Sequence, residues 1–352
     1  MAPLGLSPAA QAFRQSVEDL LQQNNLLSGS SPKSLFLLIF DVNGARQEWA
    51  YGDRTDNGSR IPPDRFTVYS IGSVSKVFTA TVVAELILEG RVELDKSINA
   101  YLPPTVQLPK FRRPDGTDVP ITVRHRLQHV SGDSAFCLNH SNPVPGIVDL
   151  ANCLSIIRPY FFASEPGMRW KYSDYHYLGA LIENVDGRPL FESFYKRILL
   201  PSDMRMTGHE DFTLAADPDN IARPIYQPLG GLFDASGSLR SNADDMMRFG
   251  LSALRHSSDP ALNDAMQYAQ ENYLGWNFGL ATRYPASVYL HNGTLDMQQS
   301  FFAVDLMKGI GFIALTGSNN NTEGGDVTNR LAGFGEGLIS LLRNRSGYGL
   351  GL

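Results

Sequence analysis

The sequence has few of the features that mark secreted or membrane-bound proteins. Only two of its 352 residues are cysteine, Cys137 and Cys153. Such a pair forms a disulfide in an oxidising compartment and stays reduced in the cytosol, so we expect free thiols here. No apolar run reaches the length of about 20 residues that spans a bilayer, and the N-terminus does not resemble a signal peptide. The sequence therefore predicts a cytoplasmic protein with no membrane partner.

The sequence also has no excess of positively charged residues. Lys and Arg number 30 against 36 Asp and Glu, which gives a formal net charge of −6. Binding to a phosphate backbone needs Lys and Arg clustered on one face or along one helix, and the sequence has no such cluster. We therefore expect no nucleic-acid partner.

The motifs of several common enzyme classes are absent as well. The chain contains no G-x-S-x-G, H-E-x-x-H, C-x-x-C or P-loop pattern, which argues against Ser-His-Asp hydrolases, metalloenzymes and nucleotide-binding proteins. The cluster of Gly333, Gly335 and Gly337 falls in a predicted terminal helix, without the strand and loop that bind phosphate. We therefore expect neither a metal ion nor an organic cofactor.

What the sequence does contain is a set of strand-like runs near both ends of the chain. An Asn43-Gly44 turn joins two of them, and Ser7 and Pro8 mark the start of an N-terminal helix. A closing amphipathic helix is predicted over residues 327–342. The predicted strands cover residues 34–42, 47–51, 287–291, 300–306 and 310–315.

These patterns predict an α+β fold of the α/β sandwich type. One antiparallel sheet from both chain ends would be flanked by the terminal helices, beside a mostly helical lobe. The sheet lobe would comprise residues 1–72 and 275–352, and the helical lobe residues 73–274. We expect the active site at the boundary between the lobes.

The most informative stretch runs from Tyr69 to Ala80, where a strand-like approach ends at Gly72 and an amphipathic helix is predicted from Ser73. Ser73 and Lys76 would share one helix face, about 4.5 Å apart along the axis. Serine becomes a good nucleophile when a base removes its proton, and lysine is such a base when burial favours its neutral form. The pair predicts an acyl-transfer centre with Ser73 as nucleophile.

The S-x-x-K pattern alone is not specific, because it occurs three times. The other pairs are Ser30 with Lys33, in a linker rich in Gly and Ser, and Ser193 with Lys196, inside a helix-like run. Only Ser73 follows a strand and a glycine turn that would expose its side chain.

A second stretch surrounds Tyr172, after a Pro-Gly turn at residues 166–167. Beside an ammonium group, the Tyr172 hydroxyl can exchange protons with Ser73 and Lys76. The alternative is a buried aromatic cluster of Trp170, Tyr172, Tyr175 and Tyr177. The sequence leaves both interpretations open.

A third stretch contains His291, Gly293 and Thr294, which we place at the end of a strand before a turn. Glycine allows close approach of a substrate to the backbone, and the N–H groups of Thr294 and Ser73 would bind an oxyanion. A simple hairpin turn explains the same residues.

Taken together, these stretches resemble the serine β-lactamase and penicillin-binding-protein superfamily. The ordered motifs are Ser73-x-x-Lys76, Tyr172-Ser173-Asp174 and His291-x-Gly293. Two further segments, 121–132 and 230–246, resemble family landmarks that contain His129 and Asp245. The tyrosine in the second motif resembles the branch of class C β-lactamases, D-alanyl-D-alanine carboxypeptidases and related esterases.

The resemblance implies an acyl-enzyme on Ser73, with Lys76 and Tyr172 sharing proton transfer. His291 would replace the lysine of the third motif, and Asp174 the asparagine of the second. Both changes argue against efficient recognition of an anionic β-lactam or peptide, because a neutral imidazole attracts a carboxylate weakly. A carboxylate at Asp174 would also oppose base activation if it faced Lys76.

The sequence thus favours a serine hydrolase or acyltransferase that acts on an ester or amide of a small molecule, for example in secondary metabolism. An alcohol or amine would be the acyl acceptor in a transfer reaction. The alternatives are a β-lactamase or D-Ala-D-Ala-type peptidase, and a non-catalytic protein of the same fold that binds acyl ligands or assembles with partners. The substrate pocket would be lined by loops at residues 133–145, 226–233 and 272–283.

Overall fold

The computed structural model of the chain describes eleven stretches, within which all structural statements below are made. They are residues 7–27, 33–55, 60–133, 150–158, 161–209, 222, 231–277, 284–295, 297–317, 321–346 and 350. Most of the three loops expected to line the pocket lies outside the described residues.

Five antiparallel strands from both ends of the chain form the central sheet. In order across the sheet they are β2 (Arg46–Gly52), β1 (Ser34–Asp41), β9 (Ile310–Gly317), β8 (Gln298–Asp305) and β7 (Val288–Leu295). Strand β1 lies between its hairpin partner β2 and the late strand β9, with Leu37 opposite both Trp49 and Ala314. The predicted sheet is therefore confirmed.

Helices cover both faces of this sheet, so strands β1, β8 and β9 are buried along their full length. The outer face packs against the first helix, α1 (Pro8–Gln23), and the last, α9 (Asn321–Arg343). As predicted, Ser7 caps α1, because its Oγ accepts a hydrogen bond from the Ala10 N–H at 3.1 Å.

The other face of the sheet packs against the helical middle of the chain. One continuous core joins sheet residues such as Phe36 and Phe302 to helix residues such as Phe78 and Phe249. The division into two lobes at residues 72 and 275 stays a prediction. The elements between the sheet strands are β3 (Tyr69–Ser70), α2 (Ser75–Leu88), β4 (Phe111–Arg112), β5 (Asp118–Val119), α3 (Val123–Leu127), α4 (Leu150–Ile157), α5 (His176–Asp186), α6 (Leu190–Phe194), β6 (Arg240–Ser241), α7 (Ala243–Ala253) and α8 (Pro260–Glu271).

Helix α2 differs from the amphipathic helix expected there. Every residue from Ser75 to Ala84 is buried, so α2 runs through the core with no exposed face until its last turns. A 3-10 turn, Gly72–Val74, precedes it and contains Ser73. The expected periodicity is weak because a helix that is enclosed on all sides needs no polar stripe.

The expectation of free thiols is wrong for Cys153. This residue is buried in α4 and disulfide-bonded, and no free cysteine occurs in the described part of the chain. The only other cysteine in the sequence is Cys137, which lies outside the described residues. Pairing depends on distance in space, which the separation along the sequence does not reveal.

Among the described helices, none is both long enough and apolar enough to cross a lipid bilayer.

Candidate active site

Ser73 lies at the entry to the central helix, in a turn held from several sides. Gly72 has a left-handed φ of 51°, and a Cβ there would lie 2.5 Å from the Thr294 backbone nitrogen. Ser75 Oγ donates a hydrogen bond to the Gly72 carbonyl at 2.7 Å, and the Ile71 N–H donates to the Leu239 carbonyl at 3.0 Å. Glycine is needed at position 72, since a side chain would disturb both the turn and the contact.

Lys76 brings its amine to this serine. The Lys76 Nζ lies 3.3 Å from Ser73 Oγ and donates a second hydrogen bond, of 2.6 Å, to the Ser236 carbonyl. The lysine side chain is only 2% exposed. The structure thus places a buried amine within reach of the Ser73 proton, as the first motif predicts.

The two other S-x-x-K pairs offer no such arrangement. Ser193 Oγ donates to the Asp186 carboxylate at 2.8 Å, and Lys196 forms a salt bridge of 2.6 Å with Glu192. Ser30 lies outside the described residues. Of the pairs that the structure describes in full, Ser73 and Lys76 alone are in contact.

Tyr172 contacts Lys76 through the face of its ring. The Lys76 Nζ lies 4.7 Å from the Tyr172 ring centroid, and the ring stacks on His129 with centroids 4.7 Å apart. No hydrogen bond joins the Tyr172 hydroxyl to another described residue. Its role in proton transfer stays a prediction.

The buried aromatic cluster that we weighed as an alternative is present only in part, because Trp170 is 41% exposed and the Tyr177 ring lies under the Arg126 guanidinium at 4.6 Å. The centroid of the Tyr172 ring lies 6.5 Å from that of the Trp170 ring. The Tyr175 ring stacks on His129, as the Tyr172 ring does. His129 Nδ1 accepts a hydrogen bond of 3.0 Å from the Ser173 N–H. The buried imidazole therefore holds the backbone that carries Tyr172.

Asp174 does not oppose the base in the way that its sequence position suggests. Its carboxylate is 7% exposed and lies 3.7 Å from His176 Nδ1, whereas the polar partners of Lys76 are Ser73 and Ser236. The carboxylate faces an imidazole instead of the amine.

The third motif lies inside strand β7, which continues to Leu295 instead of turning after His291. A Cβ on Gly293 would lie 2.0 Å from the Ile71 carbonyl oxygen and 2.8 Å from the Ser73 backbone nitrogen. Ser300 Oγ donates a hydrogen bond of 2.7 Å to the same carbonyl. Strand β7 therefore packs directly on the Ser73 turn, and the Thr294 nitrogen lies close to Gly72.

Three buried imidazoles surround the lysine. Burial, followed by the positive charge of Lys76, lowers the pKa of His176 and His291 to about 3 and the pKa of His129 well below its usual range. The neutral His291 ring donates from Nδ1 to the Asn292 carbonyl at 2.6 Å. No second positive charge therefore sits where the family lysine would be.

Ser236 is the residue of the site that sequence reasoning missed. Its carbonyl binds the Lys76 amine, and its Oγ accepts the Tyr175 N–H at 2.7 Å. It belongs to the segment 230–246, which we treated as a structural landmark. The run of small residues from Ala235 to Ser238 was the available signal, because small side chains permit close approach to the α2 backbone.

Asp245, the other landmark, has a structural role. Its carboxylate accepts hydrogen bonds from the Met206 N–H and the Thr207 hydroxyl, both at 2.8 Å. In the described part of the chain, no three His, Cys, Asp or Glu side chains lie close enough together to hold a metal ion.

Two curated proteins are similar in sequence to parts of this chain. Esterase EstB from Burkholderia gladioli is 26% identical over 49% of this chain and 45% of its own length. The D-alanyl-D-alanine-carboxypeptidase/endopeptidase AmpH from Escherichia coli is 24% identical over 64% of this chain and 58% of its own length. The chain thus spans about half the length of these curated relatives.

Solved structures share the fold at low identity. A β-lactamase/D-alanine carboxypeptidase from Yersinia pestis superposes with a TM-score of 0.71 at 17% identity, covering 93% of this chain and 99% of that one. EstCE1, described as a hydrolase with promiscuous acyltransferase activity, gives a TM-score of 0.67 at 20% identity, covering 92% and 100%.

The family model for Beta-lactamase matches residues 33–335, which include every motif described above. This match spans most of the chain, and the structural neighbours have the same fold. The chain therefore belongs to the Beta-lactamase family, within the serine β-lactamase and penicillin-binding-protein superfamily.

Proposed function

We propose that the protein is a serine hydrolase or acyltransferase that forms an acyl-enzyme on Ser73 and acts on esters or amides of small molecules. The observation that carries the proposal is the 3.3 Å contact between Lys76 Nζ and Ser73 Oγ in a buried turn. A buried amine beside a serine on a rigid turn suits nucleophilic catalysis. The names of EstB and EstCE1 support an acyl-transfer activity.

The first half of the reaction forms the acyl-enzyme. The Lys76 amine acts as the base and removes the Ser73 proton as Oγ attacks the carbonyl carbon. The N–H groups of Ser73 and Thr294 bind the oxyanion, since both lie at the junction of β7 with the Ser73 turn. Collapse of the intermediate releases the alcohol or amine, which takes its proton from Lys76 or Tyr172.

The second half transfers the acyl group to an acceptor. Water as acceptor gives the acid, and an alcohol or amine gives a new ester or amide. Lys76 again removes the proton of the acceptor and returns it to Ser73 as the ester bond of the acyl-enzyme breaks. The outcome depends on how well the pocket excludes water.

A β-lactamase or D-Ala-D-Ala peptidase is the second candidate, favoured by the name of AmpH. Both types of substrate carry a carboxylate, and the neutral His291 gives little attraction for it. A non-catalytic ligand-binding protein is the third candidate, and the contact between Lys76 and Ser73 argues against it.

A matched pair of lysine variants tests the proposal. Turnover of p-nitrophenyl acetate is measured for wild type, Lys76→Met and Lys196→Met, with a circular dichroism melt of each. Lys196 has the same S-x-x-K spacing but is about half exposed and pairs with Glu192. We expect a loss of at least about 10²-fold in kcat for Lys76→Met, and little change for Lys196→Met.

Added alcohols and a penicillin separate the candidates. New ester formed at the expense of acid identifies a transferase, and acid alone identifies an esterase. Faster turnover of the penicillin than of the ester favours the second candidate. Absence of turnover in folded wild-type protein with every substrate favours the non-catalytic one.

A further inference from the structure

Residues 235–239, which we call the bridging segment, run antiparallel to the first turns of helix α2. At one end of the segment, Thr79 Oγ1 donates a hydrogen bond of 2.8 Å to the Ala235 carbonyl. At the other end, the Leu239 N–H donates a hydrogen bond of 3.3 Å to Ser75 Oγ. All of these residues are buried, and hydrogen bonds are stronger where water is excluded. The segment is therefore fixed to α2 at both ends.

Between these two ends lies the carbonyl that holds the amine of the first motif. The Ser236 carbonyl accepts a hydrogen bond of 2.6 Å from Lys76 Nζ, which is shorter than the 3.3 Å contact between that amine and Ser73 Oγ. A lysine side chain has a flexible four-carbon stem, so the partners of its amine decide where the amine lies. The position of the Ser236 carbonyl therefore controls the distance between the amine and Ser73.

The bridging segment also contacts the second motif. Ser236 Oγ accepts a hydrogen bond of 2.7 Å from the Tyr175 N–H, shortly after Tyr172 in the sequence. The centroid of the Tyr175 ring lies 5.6 Å from Lys76 Nζ. One residue of the segment thus binds the amine through its carbonyl and the backbone of the second motif through its side chain.

We propose that Thr79 is a positioning residue: its hydroxyl holds the bridging segment, and through it the Ser236 carbonyl, where the Lys76 amine reaches the nucleophile. This role rests on the proposed function, in which Lys76 is the base for Ser73. Thr79 acts on the peptide unit next to the anchor, since Ala235 directly precedes Ser236. Loss of the hydroxyl removes the bond to a buried carbonyl and frees this end of the segment to move.

Variants that differ in one hydroxyl test this role. Turnover of p-nitrophenyl acetate is measured for Thr79→Val and Thr79→Ala, which lack the hydroxyl, and for Thr79→Ser, which keeps it. Without the hydroxyl we expect kcat to fall about tenfold or more while KM stays within about twofold, because the base is displaced and substrate binding is not. Thr79→Ser should stay within about threefold of wild type in kcat.

Thr81→Val is the matched control for Thr79→Val. Thr81 is also buried in α2, but its Oγ1 donates a hydrogen bond of 2.8 Å to the Val77 carbonyl of the same helix instead of to the bridging segment. We therefore expect its kcat to equal that of wild type. In every variant, kcat is expressed per reactive serine, titrated with a fluorophosphonate, so that a loss of folded protein does not lower it.

A purely structural role for Thr79 predicts a lower melting temperature with kcat per reactive serine close to wild type, and that result overturns the proposal. An equal fall of kcat in Thr79→Ser or in Thr81→Val overturns it as well. If Thr79→Val does not fold, Thr79→Ala and Thr79→Ser decide, because the two differ by the hydroxyl alone.

If wild type turns over no ester, the proposed function fails on its own, and the position of the amine is then measured directly. Crystal structures of wild type and Thr79→Ala give the distance between Lys76 Nζ and the Ser236 carbonyl. An increase of about 1 Å or more supports the positioning role of Thr79, since displacements of this size matter for reacting groups. An unchanged distance overturns it.

Discussion

Replacing Gly293 with alanine tests how closely strand β7 must approach the nucleophile. The new Cβ would lie 2.0 Å from the Ile71 carbonyl oxygen, whereas ordinary contacts begin near 3.4 Å. The strand must therefore move by about 1.4 Å, the difference between these distances. Oxyanion donors act at about 2.7–3.1 Å, so this movement removes the Thr294 N–H from the oxyanion.

The expected loss follows from that displacement. Loss of one oxyanion donor costs about 10²–10³ in kcat, or about 2.7–4 kcal/mol. The assay is steady-state turnover of p-nitrophenyl acetate together with a thermal melt. Because the alanine also crowds a buried contact, some loss of stability accompanies the loss of activity.

Gly311→Ala is the matched control for Gly293→Ala. Gly311 lies on β9 of the same sheet, and a Cβ there would lie 2.3 Å from the Phe40 ring. We expect it to cost about 1–3 kcal/mol of stability and to leave kcat within a few fold. If Gly293→Ala retained kcat to the same degree as this control, the oxyanion role of the β7 backbone would be refuted.

Two buried titratable groups predict opposite effects of pH on stability. Burial raises the pKa of Asp234 to about 7 from 3.8, so the folded state holds a proton that the unfolded state releases, and stability falls as pH rises between about 4 and 7. In urea unfolding, the free energy of unfolding of Asp234→Asn should therefore be higher than that of wild type by up to about 4 kcal/mol at pH 8 and by almost nothing at pH 4. An equal gain at both pH values would contradict this. Burial lowers the pKa of His291 to about 3 from 6.5, so its neutral ring contributes stability that is complete above about pH 6.5 and lost on acidification. Between pH 7 and pH 5, the free energy of unfolding should fall by about 2 kcal/mol less in His291→Gln than in wild type. An equal fall in both proteins would argue against a buried neutral imidazole.

Local sequence patterns, which depend on neighbouring residues, predicted most of the fold. The strands at both chain ends were visible because a buried strand is a continuous apolar run, as in β1 and β9. The cap at Ser7 was visible because it depends on adjacent residues alone. Features of this kind require no knowledge of what lies across the core.

Features that depend on distant contacts were missed. Ser236 reaches Lys76 across 160 positions of sequence, and nothing near it indicates an amine as the partner of its carbonyl. Strand β7 continues past Gly293 because its pairing with β8 extends to Leu295 opposite Gln298. This pairing overrides the turn preference of the Asn-Gly dipeptide. The burial of α2 likewise results from elements that pack on it from all sides.

The arrangement of the site motifs was predictable only in part. Ser73 and Lys76 were predictable, since helical spacing places both on one face and the glycine turn before Ser73 distinguishes this pair from the other two. The orientation of Asp174 towards His176 was not, because its place in the second motif suggested a position near Lys76. Three-dimensional packing decides which neighbour a short carboxylate faces.

The measurement that tests the central claim most directly is intact-mass spectrometry after exposure to a fluorophosphonate. Wild type, Ser73→Ala and Ser193→Ala are compared, with peptide mapping of any adduct. We predict one adduct on the peptide that contains Ser73, present in wild type and Ser193→Ala and absent from Ser73→Ala. An adduct on another serine, or none on folded wild-type protein, would contradict the assignment of Ser73 as the nucleophile.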